Sequence, residues 1–160
     1  YRGACTWANR EADRTMRIEL VAVASVVAAL TIHITGPAIE ARTWPVLTDA
    51  EVIGQEKIGD QVSFRIEAMR KRPSCMYQDV VAKIEQQGQA TKTAEVETPF
   101  SGRRISRPPG RQYMGAWKVP KPPNPDGVDM TPGTIVTFFV RYQCHVLWDT
   151  MARIGPVRVE

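Results

Sequence analysis

Residues 134–144 read TIVTFFVRYQC. Val136, Phe138, Val140, Tyr142 and Cys144 share one side of an extended chain. Thr137, Arg141 and Gln143 share the other with Ile135 and Phe139. Side chains of a strand point alternately to opposite faces, so this period of two predicts a strand with one buried face. Residues 61–69, QVSFRIEAM, repeat the pattern: Val62, Phe64, Ile66 and Ala68 alternate with Ser63, Arg65 and Glu67. Two strong strands so far apart in sequence are expected to face each other across one core. Val62, Phe64, Ile66, Val136, Phe138, Val140 and Tyr142 are its candidate members.

Working outward, residues 76–85 alternate with Val80, Ala82 and Ile84 inward, although a helix over 77–87 competes with a strand there. Residues 91–97 and 113–119 read as weaker strands, and 46–52 and 157–159 as edge strands at the two ends. Residues 148–154 could form one helical turn before Gly155 and Pro156 stop it. Turn signals separate these segments at Gly54, Gly59-Asp60, Pro73-Ser74, Gln87-Gly88, Pro108-Pro109-Gly110, Asp126-Gly127 and Pro132-Gly133. Pro120, Pro122, Pro123 and Pro125 form a stiff connector that cannot enter a central strand. About seven short strands with such spacing predict an all-β sandwich, a single domain over residues 42–160.

A different pattern precedes it. Residues 20–32 read LVAVASVVAALTI, with no charge, and Arg14 and Arg17 stand just before them. A basic flank followed by an apolar run is the order of a secretory signal. The uncharged stretch continues to Ile39 but turns polar after Ile32, and Gly36 and Pro37 are expected to end the helix. A spanning helix needs about 20 apolar residues, so the segment is marginal as an anchor. Ala38 and Ala41 offer small residues for cleavage. Three readings stay open for residues 16–41: a cleaved signal peptide, an uncleaved signal anchor touching the membrane through residues 18–39, or a core helix. The last would need a helical partner, and no downstream segment reads as a long helix. The positive-inside rule puts Arg14 and Arg17 in the cytoplasm and the following domain outside. His33 reads as a neutral interfacial residue. Residues 1–15 form a polar extension that either precedes a translation start at Met16 or is a short cytoplasmic tail.

The net charge is +4, and residues 42–160 alone hold seventeen Lys and Arg against thirteen Asp and Glu. A mildly basic surface suits anionic lipid or polysaccharide and equally serves plain solubility; nucleic acid is not the expected partner. The basic residues gather in one place. Arg103, Arg104, Arg107 and Arg111 lie among Ser, Pro and Gly, Lys118 and Lys121 follow, and no acid occurs between Glu97 and Asp126. Phe100, Tyr113 and Trp117 flank them. These six cations are the candidate anion-binding residues, since guanidinium groups hold phosphates or carboxylates by paired hydrogen bonds. The plainer reading is a solvated loop. Arg70-Lys71-Arg72 before Pro73 reads as a polar turn.

Cys75 and Cys144 are the cysteines of the exported part, and outside the cytoplasm an even count points to a disulfide. A metal site of Cys75, Cys144 and His145 is the alternative. Adjacent strand residues face opposite ways, so Cys144 and His145 would not readily share a metal. Cys5 lies before Met16 and is not expected to pair. No Gly-x-Ser-x-Gly run or phosphate loop occurs, and His145 is the single histidine after residue 42. Asp126 and Asp129 flank a turn, where hydrogen bonding to the turn is their ordinary role. No catalytic residue, cofactor or metal is therefore expected.

Tyr142-Gln143-Cys144 resembles the Tyr-x-Cys of immunoglobulin-type strands, with Cys75 as the earlier cysteine. No Trp follows Cys75 at the short distance typical of that pattern, and Cys75 adjoins a proline turn. The chain also resembles a group of small uncharacterised bacteriophage-encoded proteins. A hydrophobic segment precedes Trp44-Pro45-Val46, a basic strand end leads to Cys75, and Tyr142-x-Cys144-His145 comes before Trp148. These resemblances imply an immunoglobulin-like sandwich in a host envelope and no assigned activity. The expected function is a non-enzymatic binding or interaction module on the outer side of a bacterial inner membrane, periplasmic or anchored. Its expected partner is an anionic lipid, polysaccharide or protein. The alternatives are a secreted enzyme with an unrecognised site or a virion surface component. Convergent polar groups in a pocket at His145 or Asp126 would favour the enzyme.

Overall fold

The computed structural model describes residues 4–58, 61–100, 107–121 and 127–160, with side chains from residue 16 onward. The chain divides into two compact units, residues 1–36 and 37–160.

The first unit holds most of α1, a helix over Ala4–Thr43. Met16–Thr43 is long and apolar enough to cross a membrane; its most apolar stretch has a mean hydropathy of 2.0, and none of that stretch is buried by protein. Its hydroxyls do not face outward unpaired. Ser25, Thr31 and Thr35 each donate to the carbonyl four residues back at 2.7–2.8 Å, which lets polar side chains sit on an apolar helix. The helix does not stop at Gly36-Pro37, as the sequence suggests, but runs on to Thr43. Pro37 removes one hydrogen bond, and the turn beyond it is held by contacts made outside the helix, described below.

The second unit is two antiparallel sheets. The strands are β1 (Leu47–Ile58), β2 (Gln61–Arg70), β3 (Met76–Glu85), β4 (Lys92–Glu95), β5 (Gly110–Lys118), β6 (Ile135–Gln143) and β7 (Asp149–Arg158). One sheet has the order β1-β2-β5 and the other β4-β3-β6-β7. The period of two sets which faces meet. Val62 is 8% exposed, and Phe64, Ile66, Val136, Phe138, Val140 and Tyr142 are fully enclosed, while Arg65 and Arg141 face solvent. Phe64 of one sheet meets Phe138 of the other edge to face at 5.1 Å, and Trp117 meets Phe138 at 5.5 Å. Each large apolar side chain buried in this way contributes about 1.5–3 kcal/mol.

One irregularity matters for the core. The β2–β5 register slips between Ile66 and Glu67, which pair with Gly115 and Tyr113. The bulge lets both Met114 and Trp117 point inward, although they are an odd number of positions, three, apart. Gly115 takes φ +91° there, and a Cβ would lie 2.6 Å from Pro99 Cγ, so the position suits glycine on both counts.

Residues 76–85 form β3, as their alternation predicts, and the competing helix over 77–87 is absent. The structure corrects two local expectations. Residues 148–154 form no helical turn, because Thr150, Ala152 and Ile154 alternate inward on β7 and pair with β6. Gly155 and Pro156 lie within β7, which tolerates a proline because it is an edge strand. Arg70 is not part of a polar turn but is 2% exposed. Its position continues the inward series Val62, Phe64, Ile66, Ala68 by one step.

Cys75 and Cys144 are bridged, with Cα atoms 4.3 Å apart and a sequence separation of 69. The bridge ties the start of β3 to the end of β6, two neighbours within one sheet.

Candidate functional site

The densest polar arrangement among the described residues centres on Glu40, which sequence inspection passed over. Glu40 lies one residue beyond the uncharged stretch and inside the second unit, where it is 6% exposed. Its Oε1 accepts from Arg72 and meets His145 Nε2 at 3.0 Å. Its Oε2 accepts from Trp148 Nε1 at 2.8 Å and Thr150 Oγ1 at 2.7 Å. Four side chains from the β2–β3 turn, the β6–β7 loop and β7 thus converge on one carboxylate supplied by the last turn of α1. Trp44 N donates to Glu40 O at 2.8 Å, and the Trp44 carbonyl lies 3.4 Å from Arg72 Nη1. Burial alone would push the Glu40 carboxyl up, but the donors Arg72, Trp148 and Thr150 and the Arg72 charge outweigh it and hold the pKa at about 2. The ionised form is therefore the resident one.

Arg70 supports the same corner. It donates to the carbonyls of Arg72, at 3.2 Å, and of Cys75, and its guanidinium stacks over the Tyr142 ring at 5.6 Å. The β2–β3 turn that presents Arg72 is thereby clamped from beneath. The Tyr142 hydroxyl is buried without a hydrogen-bond partner among the described residues, and burial raises its pKa.

His145 and Asp126 were the two places where the sequence allowed a catalytic pocket. Asp126 lies outside the described residues. His145 is 45% exposed at its side chain, and the carboxylate next to it also receives Thr150. That order does not make a catalytic triad. A nucleophile must bond the imidazole on the side away from the carboxylate, whereas Thr150 bonds the carboxylate itself and is buried. No group of three or more His, Cys, Asp or Glu able to hold a metal occurs among the described residues. A polar depression of about 280 Å³, lined by Gln86, Gln89, Thr131, Thr134 and Arg158 among others, opens at the opposite ends of β3, β6 and β7.

The anion-binding candidates separate. Arg103 and Arg104 lie outside the described residues. Arg107 is half-buried, stacked on the Phe100 ring at 4.0 Å and donating to the Tyr113 carbonyl at 3.2 Å. Arg111 lies across the sheet from two carboxylates and pairs with Glu51 and Glu67, each at 2.6 Å. No acid is near it in sequence, but the β1-β2-β5 order brings two beside it. Lys118 joins Glu97 through backbone hydrogen bonds at 2.9 Å, and Lys118 and Lys121 are both half-buried.

A faint signal existed for the Glu40 corner. An acid directly after twenty uncharged residues must leave hydrocarbon or find donors, and Thr150 shares the period of two with Ala152 and Ile154. No protein-family model, curated protein or solved structure matches the chain.

Proposed function

We propose that the chain is a non-enzymatic binding module, held by an uncleaved signal anchor on the outer side of a bacterial inner membrane and facing the periplasm. The Glu40 corner carries this reading. Cleavage after Ala41 would strip from the sandwich the carboxylate on which Arg72, His145, Trp148 and Thr150 converge, and would take away the acceptor these four side chains share. The exposed apolar surface of α1 supports a membrane location, and the disulfide supports an oxidising compartment.

An immunoglobulin-like fold agrees with the strand order in part. Lettered in chain order, the sheets are ABE and DCFG, whereas the constant-type arrangement is ABED and CFG, so the fourth strand has changed sheets. The disulfide joins C to F within one sheet and not B to F across the core. The resemblance to small uncharacterised phage-encoded proteins implies the same location. Anion binding by Arg103, Arg104, Arg107, Arg111, Lys118 and Lys121 belongs to this proposal, with Arg111 already paired to carboxylates and Arg107 stacked on an aromatic ring.

The test is a periplasmic reporter fused after Glu160, combined with the intact mass of the membrane-extracted product. A central charge costs an inserting helix about 2.5–3.5 kcal/mol, so Val26→Arg should abolish reporter activity. The mass should include Glu40 and the apolar segment. A product beginning at Arg42, or a Val26→Arg fusion that stays active, would overturn the reading.

A further inference from the structure

The loop between β6 and β7 has the wrong composition for a solvated hairpin tip. Val146 is 97% exposed and Leu147 65% exposed, side by side, where polar turn residues are the rule. The loop is nevertheless fixed on both flanks. Cys144 before it is bridged to Cys75, and His145 and Trp148 on either side of the apolar pair both bond Glu40.

Those two bonds place the tip. Glu40 follows Ile39, the last residue of the uncharged stretch, and Ile39 is itself 57% exposed. Val146 and Leu147 are therefore held beside the point where the apolar stretch enters the folded unit. Trp44, one turn after Glu40, adds a 69% exposed indole to the same corner, and the His145 and Trp148 rings pack at 5.1 Å beneath the tip. Indoles at the end of an apolar helix mark the level of lipid headgroups. The other end of the sandwich, where β1 meets β2, carries charged Glu56 and Lys57.

We propose that the β6–β7 loop is a second membrane contact, with Val146 and Leu147 inserted among the lipids of the outer leaflet and Glu40 acting as the clasp that keeps them at that depth. Lipid is the occupant because the patch is continuous with the end of the helix proposed to span the membrane. The inference rests on that spanning reading. It explains why the donors to Glu40 include both residues that flank the apolar pair: the carboxylate positions the loop, and the loop contacts the bilayer.

The full chain, reconstituted into phosphatidylcholine vesicles with or without lipid brominated near the headgroup end of its acyl chains, tests this. An indole is added at Leu147→Trp, at Val26→Trp within the apolar stretch, or at Lys57→Trp at the far end of the sandwich. Difference emission against the unsubstituted chain isolates each probe. The expected result is that the added indole of Leu147→Trp emits to the blue of that of Lys57→Trp and loses most of its intensity to brominated lipid. Lys57→Trp should be unaffected. If Val26→Trp is quenched and Leu147→Trp is not, the helix spans but the loop stands in water, and the inference falls alone. A blue-shifted but unquenched Leu147→Trp means that protein, such as a second copy of the chain, covers the tip, and this also overturns it. If neither Val26→Trp nor Leu147→Trp is quenched, the spanning reading fails and takes the inference with it. Val146→Trp, read in the same way, guards against misfolding of a single variant.

Discussion

Glu40→Gln tests the physics of the buried corner directly. The substitution keeps the size of the side chain and one acceptor oxygen, and removes the charge. In the folded protein the Glu40 carboxyl is held at about 2 against an ordinary 4.5. At about 1.4 kcal/mol per unit, that difference makes the ionised carboxylate worth about 3 kcal/mol to the folded state at neutral pH. The side chain is only 7% exposed, so solvent screening takes little from this figure. For a unit of this size the loss lowers the melting temperature by about 10 °C. The folded-state pKa lies below the unfolded one. The contribution is therefore complete above about pH 5 and fades as pH falls through 4.5 toward 2. The assay is denaturant unfolding of the full chain in detergent micelles, wild type beside Glu40→Gln, followed by tryptophan emission at a series of pH values. The wild type should be the more stable by about 3 kcal/mol at pH 7, with the gap closing by about pH 2. Arg72 and His145 face the carboxylate in both proteins, so the difference between the two curves isolates Glu40. Equal midpoints at pH 7, or a gap that does not narrow in acid, would refute the reasoning.

Tyr142→Phe should cost nothing and can stabilise by up to about 1 kcal/mol, because it removes a buried hydroxyl without a partner and keeps the ring under Arg70; a loss above about 1 kcal/mol in the same unfolding assay would show that the hydroxyl is bonded after all. Replacing Cys75 and Cys144 by serine frees a loop of 69 residues and should lower stability by about 4 kcal/mol in the chain-entropy view; alkylation and mass spectrometry of the non-reduced protein should find neither thiol free. The residues 37–160 unit should float with anionic but not neutral vesicles at low salt, and binding should weaken as the Debye length shrinks from about 10 Å at 0.1 M to about 3 Å at 1 M. Serine at Arg103 and Arg104 should weaken that binding more than serine at Arg111, which Glu51 and Glu67 already neutralise; equal binding by all variants would make the loop a plain connector.

The strands were legible because their signal is local. Val62 to Ala68 and Val136 to Tyr142 carry the period of two within a single segment, and burial follows it residue by residue. Arg70 does not announce itself as core because a charge at the end of a strand resembles a turn, although its position belongs to the inward series. Residues 148–154 do not announce a strand because Gly155 and Pro156 are stop signals for a helix, but an edge strand accepts both. Arg111 looked unpaired because pairing was judged along the chain. Its partners Glu51 and Glu67 are 60 and 44 residues away and arrive beside it by strand order.

By itself the sequence determined the apolar helix, the alternating strands, the faces they bury and the even pair of cysteines, since each follows from the period or count of residue types within a short window. Only the tertiary structure decided that Glu40 is an organising residue. Arg72, His145, Trp148 and Thr150 lie 32, 105, 108 and 110 residues beyond it, and nothing in their spacing announces a shared carboxylate. A buried charge is tolerated where donors converge on it, and convergence is a property of how strands are ordered in space, which local periodicity does not encode.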